Sequence, residues 1–151
     1  MATEVVNRQR LVRIDARRVA RIADATLAEV GRGNSTLTVA FVRDRTMREL
    51  NSKFRGKDSA TDVLSFPLGN IVNRTPEPAS PNNAPKELGD VVISTDTAQR
   101  QAIDCDHSLE REVDELVIHG VLHLCGYDHE TDRGQMNRLE SRVRRKLLGL
   151  K

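Results

Sequence analysis

The sequence is poor in aromatic residues and cysteine, and it has no long apolar run. It contains no tryptophan, one tyrosine and three phenylalanines, which argues against a nucleic-acid surface built mainly on base stacking. Two cysteines behind an N-terminus without an apolar signal region favour free thiols in the cytoplasm over a disulfide scaffold. No apolar run approaches the roughly 20 residues that cross a bilayer, so we expect no membrane association.

What the sequence does contain is an uneven distribution of charge. The 151 residues are 38% hydrophobic and 30% charged, which predicts a single globular domain over residues 1–151. Residues 1–57 carry 13 basic and 6 acidic side chains, residues 86–132 carry 3 and 12, and residues 133–151 carry 7 and 1. Basic ends of this kind favour a polyanion such as nucleic acid, although each could also be a solvated helix face.

Hydrophobic periodicity and capping residues predict four strands and five helices. The strands are expected at 3–7, 36–42, 62–66 and 88–94, and the helices at 16–30, 45–53, 96–104, from Ser108 onward and 132–148. Four of the five prolines fall in residues 69–86, which predicts a loop. This order indicates an α+β fold with a small mixed four-stranded sheet packed with about five helices.

Three of the four histidines lie in the segment HGVLHLCGYDH, residues 119–129. His119 and His123 are four residues apart, so a helix places them on one face about one turn apart. Gly126 is predicted to end the helix, and reversal of the chain there would bring His129 to the same point. Three imidazole ligands leave one position open on a tetrahedral zinc ion, which is the pattern of a catalytic site. The sequence therefore predicts a metal site on a central helix and the loop that follows it.

The same helix is predicted to be buried on most of its surface. Its one polar stripe is formed by Glu112, Glu115, His119 and His123, and a single polar stripe on a buried helix indicates a cleft. Around it, Cys125 is expected in the core, His107 at the surface or as a cap, and Asp128 as a residue that could orient an imidazole. Asp114 does not fit the pattern.

The spacing H-x-x-x-H-x-x-G-x-x-H is also that of the metzincin proteases, whose general base is a glutamate directly after the first histidine. Here that position is Gly120, which argues strongly against peptidase activity. Phosphodiester chemistry needs positive charge near the phosphate, and Lys53, Arg55 and Lys57 are candidates. Arg55 could clamp a phosphate with two hydrogen bonds, although three basic residues in a turn are more often simply solvated.

Three segments together resemble the YbeY family of bacterial endoribonucleases, also called rRNA maturation factors: LNSKFRGKDSATDVLSFPL (50–68), ELGDVVIS (87–94) and HGVLHLCGYDH (119–129). The resemblance implies one zinc ion on His119, His123 and His129. It also implies that Arg55 is a functional arginine and that Arg55, His119 and His123 are catalytic. It also implies a cytoplasmic, single-strand-specific endoribonuclease that acts in 16S rRNA 3′-end maturation and ribosome quality control. RNA in the form of rRNA and the ribosome is then the expected partner, with ribosomal proteins or an assembly GTPase as further candidates. Loop 69–86 is longer than we expect for the family.

Two other functions stay open on the residues alone. One is a non-catalytic, zinc-stabilised module that binds ribosomes through its basic faces, and the other, less favoured, is a metalloprotease. Removal of zinc with a chelator distinguishes the binding module from an enzyme, because a structural zinc is needed for folding whereas a catalytic zinc is needed for turnover. No protein general base is evident in the sequence.

Overall fold

The computed structural model describes residues 3–68, 86–127 and 133–149. In chain order the elements are β1 (Thr3–Asn7), α1 (Ala16–Glu29), β2 (Ser35–Val42), α2 (Asp44–Arg55), β3 (Val63–Pro67), β4 (Lys86–Ser94), α3 (Thr95–Asp104), α4 (Leu109–Leu124) and α5 (Gln135–Leu148). This is the predicted order, so the α+β class is confirmed. The predicted loop falls outside the described residues except for Lys86, which begins β4. None of the helices in the described ranges is long and apolar enough to cross a membrane.

The four strands form one mixed sheet in the order β1-β2-β4-β3. Strands β1, β2 and β4 are parallel, and β3 pairs antiparallel with β4 at the edge of the sheet. Pro67 belongs to β3, although the sequence predicted that the strand would stop before it. A proline is tolerated there because an edge strand does not need every backbone N–H for pairing.

Alternating residues of the strands divide the core between the two faces of the sheet. Leu37, Val39 and Phe41 of β2 point to the larger cluster, which α1, α4 and α5 also build. On the other face a smaller cluster contains Val42 of β2 and Met47 of α2, together with Leu64 and Val92. Helix α2 therefore lies on the opposite face of the sheet from α4.

Helix α4 is the central helix of the larger face and packs on α1, α3, α5, β3 and β4. Ten of its sixteen residues are buried, as its sequence predicted, and Asp114 is among them. Asp114 is 2% exposed and accepts a hydrogen bond of 2.7 Å from Nη2 of Arg18 on α1. Burial raises the pKa of Asp114, and the Arg18 guanidinium opposes that rise. The residue that did not fit the helix pattern is therefore the buried partner in an ion pair between two helices.

The side chains of Asp15, Ser94 and Ser108 are the N-caps of α1, α3 and α4, because each accepts a backbone N–H in the first turn of its helix. Asp44 is the first residue of α2, and the N-cap of that helix is Arg43. The Asp44 carboxylate accepts hydrogen bonds from Ser94 Oγ at 2.6 Å and from Thr97 Oγ1 at 2.7 Å. Asp44 therefore joins the starts of α2 and α3.

Candidate metal centre

The C-terminus of α4 is closed by the glycine that the sequence indicated. Gly126 has φ +100°, and the backbone N–H groups of Gly126 and Tyr127 donate to the carbonyl oxygens of His123 and Leu122. These two bonds define a Schellman motif, in which glycine tolerates the left-handed conformation. His119 and His123 therefore lie on the last two turns of α4, directly before the chain changes direction.

The two histidines converge on one point. The Nε2 atoms of His119 and His123 are 3.0 Å apart, with ring centroids 4.6 Å apart and planes at 66°. Two imidazole nitrogens that share a zinc ion at about 2.0–2.1 Å each must lie within about 4 Å of each other. The pair fits that requirement, and both rings are partly exposed. The third predicted ligand, His129, and the predicted orienting residue Asp128 lie outside the described residues.

A glutamate of α5 contacts the other nitrogen of His119. Glu140 Oε1 lies 2.7 Å from His119 Nδ1, and the residue is only 7% exposed. Glu140 was not predicted as a site residue, although its spacing from Met136 and Val143 places it on the apolar face of α5. A carboxylate on the core face of a helix was the signal that could have found it.

His107 does not lie at the surface as predicted, because its side chain is turned inward. The side chain is 12% exposed, and its Nε2 lies 2.6 Å from Glu112 Oε1. The backbone does cap α3 as expected, since the His107 N–H donates to the carbonyl of Ala102 while Asp106 takes a left-handed φ of 55°. The turn after α3 therefore directs this imidazole toward the polar stripe of α4.

His107, Glu112 and Glu115 form a second group that can hold a metal ion, because one ligand atom from each lies within 4.8 Å of the others. Glu115 is also paired with Arg144 at 3.1 Å and with Arg111 at 3.6 Å. Two arginines beside one carboxylate compete with a cation for it. The polar stripe of α4 thus carries the predicted histidine pair at one end and a group that the sequence did not predict at the other.

Gly120 lies where α4 crosses the sheet. A Cβ atom at this position would be 2.5 Å from Cγ1 of Val91 in β4, and Ser65 Oγ of β3 donates to the Gly120 carbonyl at 3.1 Å. The position that holds a glutamate in metzincins thus faces the sheet and has no room for any side chain.

Arg55 is the last residue of α2 and is exposed. The structure does not bring it into contact with His119 or His123, and within the described ranges it pairs with no carboxylate. Its neighbour Phe54 packs edge-on against Phe66 of β3 with ring centroids 5.2 Å apart. Ser65, the residue before Phe66 in β3, donates a hydrogen bond to α4. The end of α2 and the histidine helix therefore approach the same edge strand from opposite faces.

The fold and the histidine pair define a small α+β protein with a candidate metal centre at the end of its central helix. The family model described as endoribonuclease YbeY matches residues 4–148. The chain therefore belongs to the YbeY family, which confirms the resemblance seen in its sequence.

Individual relatives agree with this assignment. The chain is 46% identical over 123 residues to the endoribonuclease YbeY of Aquifex aeolicus, covering 82% of this chain and 74% of that protein. It is also 46% identical to the endoribonuclease YbeY of Anaeromyxobacter sp., with 64% of that protein covered. The identity to the protein of the same name from Helicobacter pylori is again 46%, with 75% of that protein covered. The solution structure of TM1509 from Thermotoga maritima has a TM-score of 0.60 at 24% identity over 97% of this chain and 89% of that one, a similarity of fold.

Proposed function

We propose that the protein is a zinc-dependent, single-strand-specific endoribonuclease that acts in 16S rRNA 3′-end maturation and ribosome quality control. The observation that carries the proposal is the 3.0 Å approach of the His119 and His123 Nε2 atoms in a chain of the YbeY family. The name endoribonuclease, which the relatives bear, supports the RNA substrate.

In this proposal zinc is held by His119, His123 and His129. Imidazole nitrogens are preferred zinc ligands, and a set of three leaves a coordination position for substrate or water. When bound, the ion supplies Lewis-acid chemistry to a phosphodiester. The chain contributes a fixed pair of ligands, because both described histidines lie on one buried helix that packs against the sheet.

Arg55 is proposed to bind a phosphate of the RNA and to stabilise the charge that develops during cleavage. Guanidinium groups match two phosphate oxygens at once. Its exposure and the lack of a carboxylate partner among the described residues leave the guanidinium available for a substrate. Since RNA would approach from solvent at the edge strand, Arg55 need not contact the histidines to act on the same strand of RNA.

The remaining surface supports binding to RNA through its backbone. Helix α5 exposes Arg138, Arg142 and Arg145 at helical spacing on the side facing away from the core. Contacts of arginine with phosphates carry little sequence information and weaken with salt. The ribosome, its proteins or an assembly GTPase in the cytoplasm remain the proposed partners of this surface.

A protease function is disfavoured by the packing of Gly120. A glutamate there would need space that Val91 occupies, so the general base of a metzincin cannot be accommodated without a shift of α4. The distance between Gly120 and Val91 thus supports the choice of RNA over peptide as substrate.

The test is cleavage of a 16S rRNA 3′-end fragment, offered single-stranded and annealed to a complementary strand. Zinc-loaded wild-type protein should cut the single-stranded form, and the His123→Ala variant should cut neither. Casein digestion under the same conditions tests the protease alternative. The proposal would be overturned if a folded, zinc-free His123→Ala protein cut the RNA as well as the wild type does. It would also be overturned if the zinc-loaded wild-type protein digested casein and left the RNA intact.

A further inference from the structure

Helix α5 places a buried carboxylate against the candidate centre on the side away from the proposed metal. Glu140 is 7% exposed, and its Oε1 lies 2.7 Å from Nδ1 of His119. The nitrogen that faces His123 is Nε2, the other nitrogen of the ring. In this arrangement Glu140 contacts the ligand rather than the position where the two Nε2 atoms meet.

The contact favours the tautomer of His119 that carries its proton on Nδ1. When Glu140 is ionised it can only accept a hydrogen bond, and its partner is then the Nδ1–H form of His119. A neutral imidazole has one N–H, and Nε2 is then left with a lone pair directed toward His123. The carboxylate of α5 therefore prepares His119 of α4 as a ligand through Nε2.

Arg144 holds this carboxylate in place from one turn further along α5. Its Nη2 lies 3.4 Å from Glu140 Oε1, and its Nη1 lies 3.1 Å from Glu115 Oε1 on α4. One guanidinium thus bridges carboxylates of both helices. The bridge restrains Glu140 relative to α4, the helix that carries His119.

We propose that Glu140, held by Arg144, is a positioning residue of the metal centre that fixes the Nδ1–H tautomer and the ring orientation of His119. The inference rests on the proposed zinc site, and it adds an orienting residue from a separate helix. Carboxylates that orient a metal-ligating histidine typically change metal affinity about 10- to 100-fold when they are removed.

The first experiment measures zinc affinity by chelator competition. The Glu140→Met variant removes the acceptor and should weaken zinc binding about 10- to 100-fold, whereas Glu140→Gln keeps an acceptor and should weaken it less. Arg144→Gln should also weaken binding, and Arg145→Gln should not, because Arg145 is an exposed neighbour on α5. Glu29→Met is the matched control, since it removes a carboxylate of α1 that pairs with Lys146 of α5 at 2.7 Å.

The second experiment reads the tautomer directly by imidazole-nitrogen NMR of the metal-free protein. The His119 Nδ1–H form should dominate in the wild type and in Glu140→Gln, and Glu140→Met should lose that preference. Thermal unfolding of each metal-free variant shows whether the fold is retained. If Glu140→Met does not fold, Glu140→Gln and Arg144→Gln still test the affinity.

The outcomes separate the two proposals. If wild-type protein binds no zinc at His119 and His123, the proposed function fails before Glu140 is tested. If the wild type binds zinc there and folded Glu140 variants keep both the affinity and the tautomer, only the role of Glu140 is overturned. Equal weakening by Glu29→Met would show a general effect of lost charge and would also overturn that role.

Discussion

A Cβ atom on Gly120 would lie 2.5 Å from Cγ1 of Val91, which is closer than a non-bonded contact between two carbon atoms allows. Helix α4 therefore packs against β4 at a distance that only glycine permits at position 120. The next residue toward the N-terminus is His119, so this close packing also sets how far the histidine helix sits above the sheet.

The close packing predicts that Gly120→Ala destabilises the protein although alanine favours helices. Overpacking a core of this kind costs about 1–3 kcal/mol, because Val91 or the helix must move. Urea unfolding should show this loss in the free energy of unfolding. Adding Val91→Ala removes the obstructing methyl groups, so the double variant should lose less than the sum of the single losses.

Gly33→Ala is the control for the Gly120 experiment. A Cβ at Gly33 would meet only Ala28 Cα at 3.9 Å, which is an ordinary contact, so its stability should not fall in the same way. If Gly120→Ala proved as stable as the wild type, the close approach of α4 to the sheet would be wrong.

We predict that zinc binds at the histidine pair, and variants of the two candidate groups on α4 test this prediction. His119→Ala and His123→Ala should each abolish stoichiometric zinc binding, because the two Nε2 atoms converge on one point. His107→Gln should retain it, since arginines already neutralise the carboxylate Glu115 in that group. Isothermal titration with zinc measures both effects. Zinc binding that survived His119→Ala but not His107→Gln would place the metal at the second group.

Removal of the metal is predicted to abolish RNA cleavage and to leave the fold intact. Helix α4 is held by apolar residues such as Val117, Ile118 and Leu122, each fully buried, so its packing does not depend on a metal. Circular dichroism after treatment with a chelator should match that of the loaded protein, and added zinc should restore cleavage. Unfolding on chelation would instead support the structural zinc module.

Arg55→Gln is predicted to lower the rate of RNA cleavage about 100-fold and to leave zinc binding unchanged. The reason is that Arg55 would stabilise charge on the phosphate and is not placed against the histidines. Arg45→Gln is the matched control, because Arg45 lies on the same helix and is 92% exposed. Single-turnover cleavage of a labelled RNA measures both variants. Equal losses in the two would indicate general charge attraction and not a specific contact.

Asp44→Asn is predicted to destabilise the protein at neutral pH, and this loss should disappear in acid. Burial opposes ionisation of Asp44, but hydrogen bonds from Ser94, Thr97 and Arg100 outweigh it and lower the pKa below its ordinary value of 3.8. A lowered folded pKa gives stability that is fully present above 3.8 and is lost as the pH falls through the folded value. The loss at neutral pH should be about 1–2 kcal/mol, measured by urea unfolding across this range.

Asp58→Asn is the control for the pH experiment. Arg48 also lowers the pKa of Asp58, but that carboxylate is 72% exposed, and exposed ion pairs contribute little to stability. A similar pH dependence in both variants would contradict the special role of Asp44 at the junction of α2 and α3.

The sequence by itself determined the elements and the spacing of the histidine pair. Hydrophobic periodicity and caps such as Asp15 and Ser108 act within one turn of helix, so they can be read locally. The same holds for Gly126, whose positive φ ends α4, and for the spacing that puts His119 and His123 on one face. These features depend on neighbours in the chain, which the sequence displays.

Only the tertiary structure decided what surrounds the pair. Glu140 is 21 residues from His119, and the Arg18–Asp114 ion pair joins residues 96 apart, so neither follows from a local pattern. The inward turn of His107 likewise depends on Glu112 being buried beside it. Gly120 shows the difference most clearly, because the sequence predicted what the glycine lacks, whereas the contact with Val91 shows why no side chain fits there.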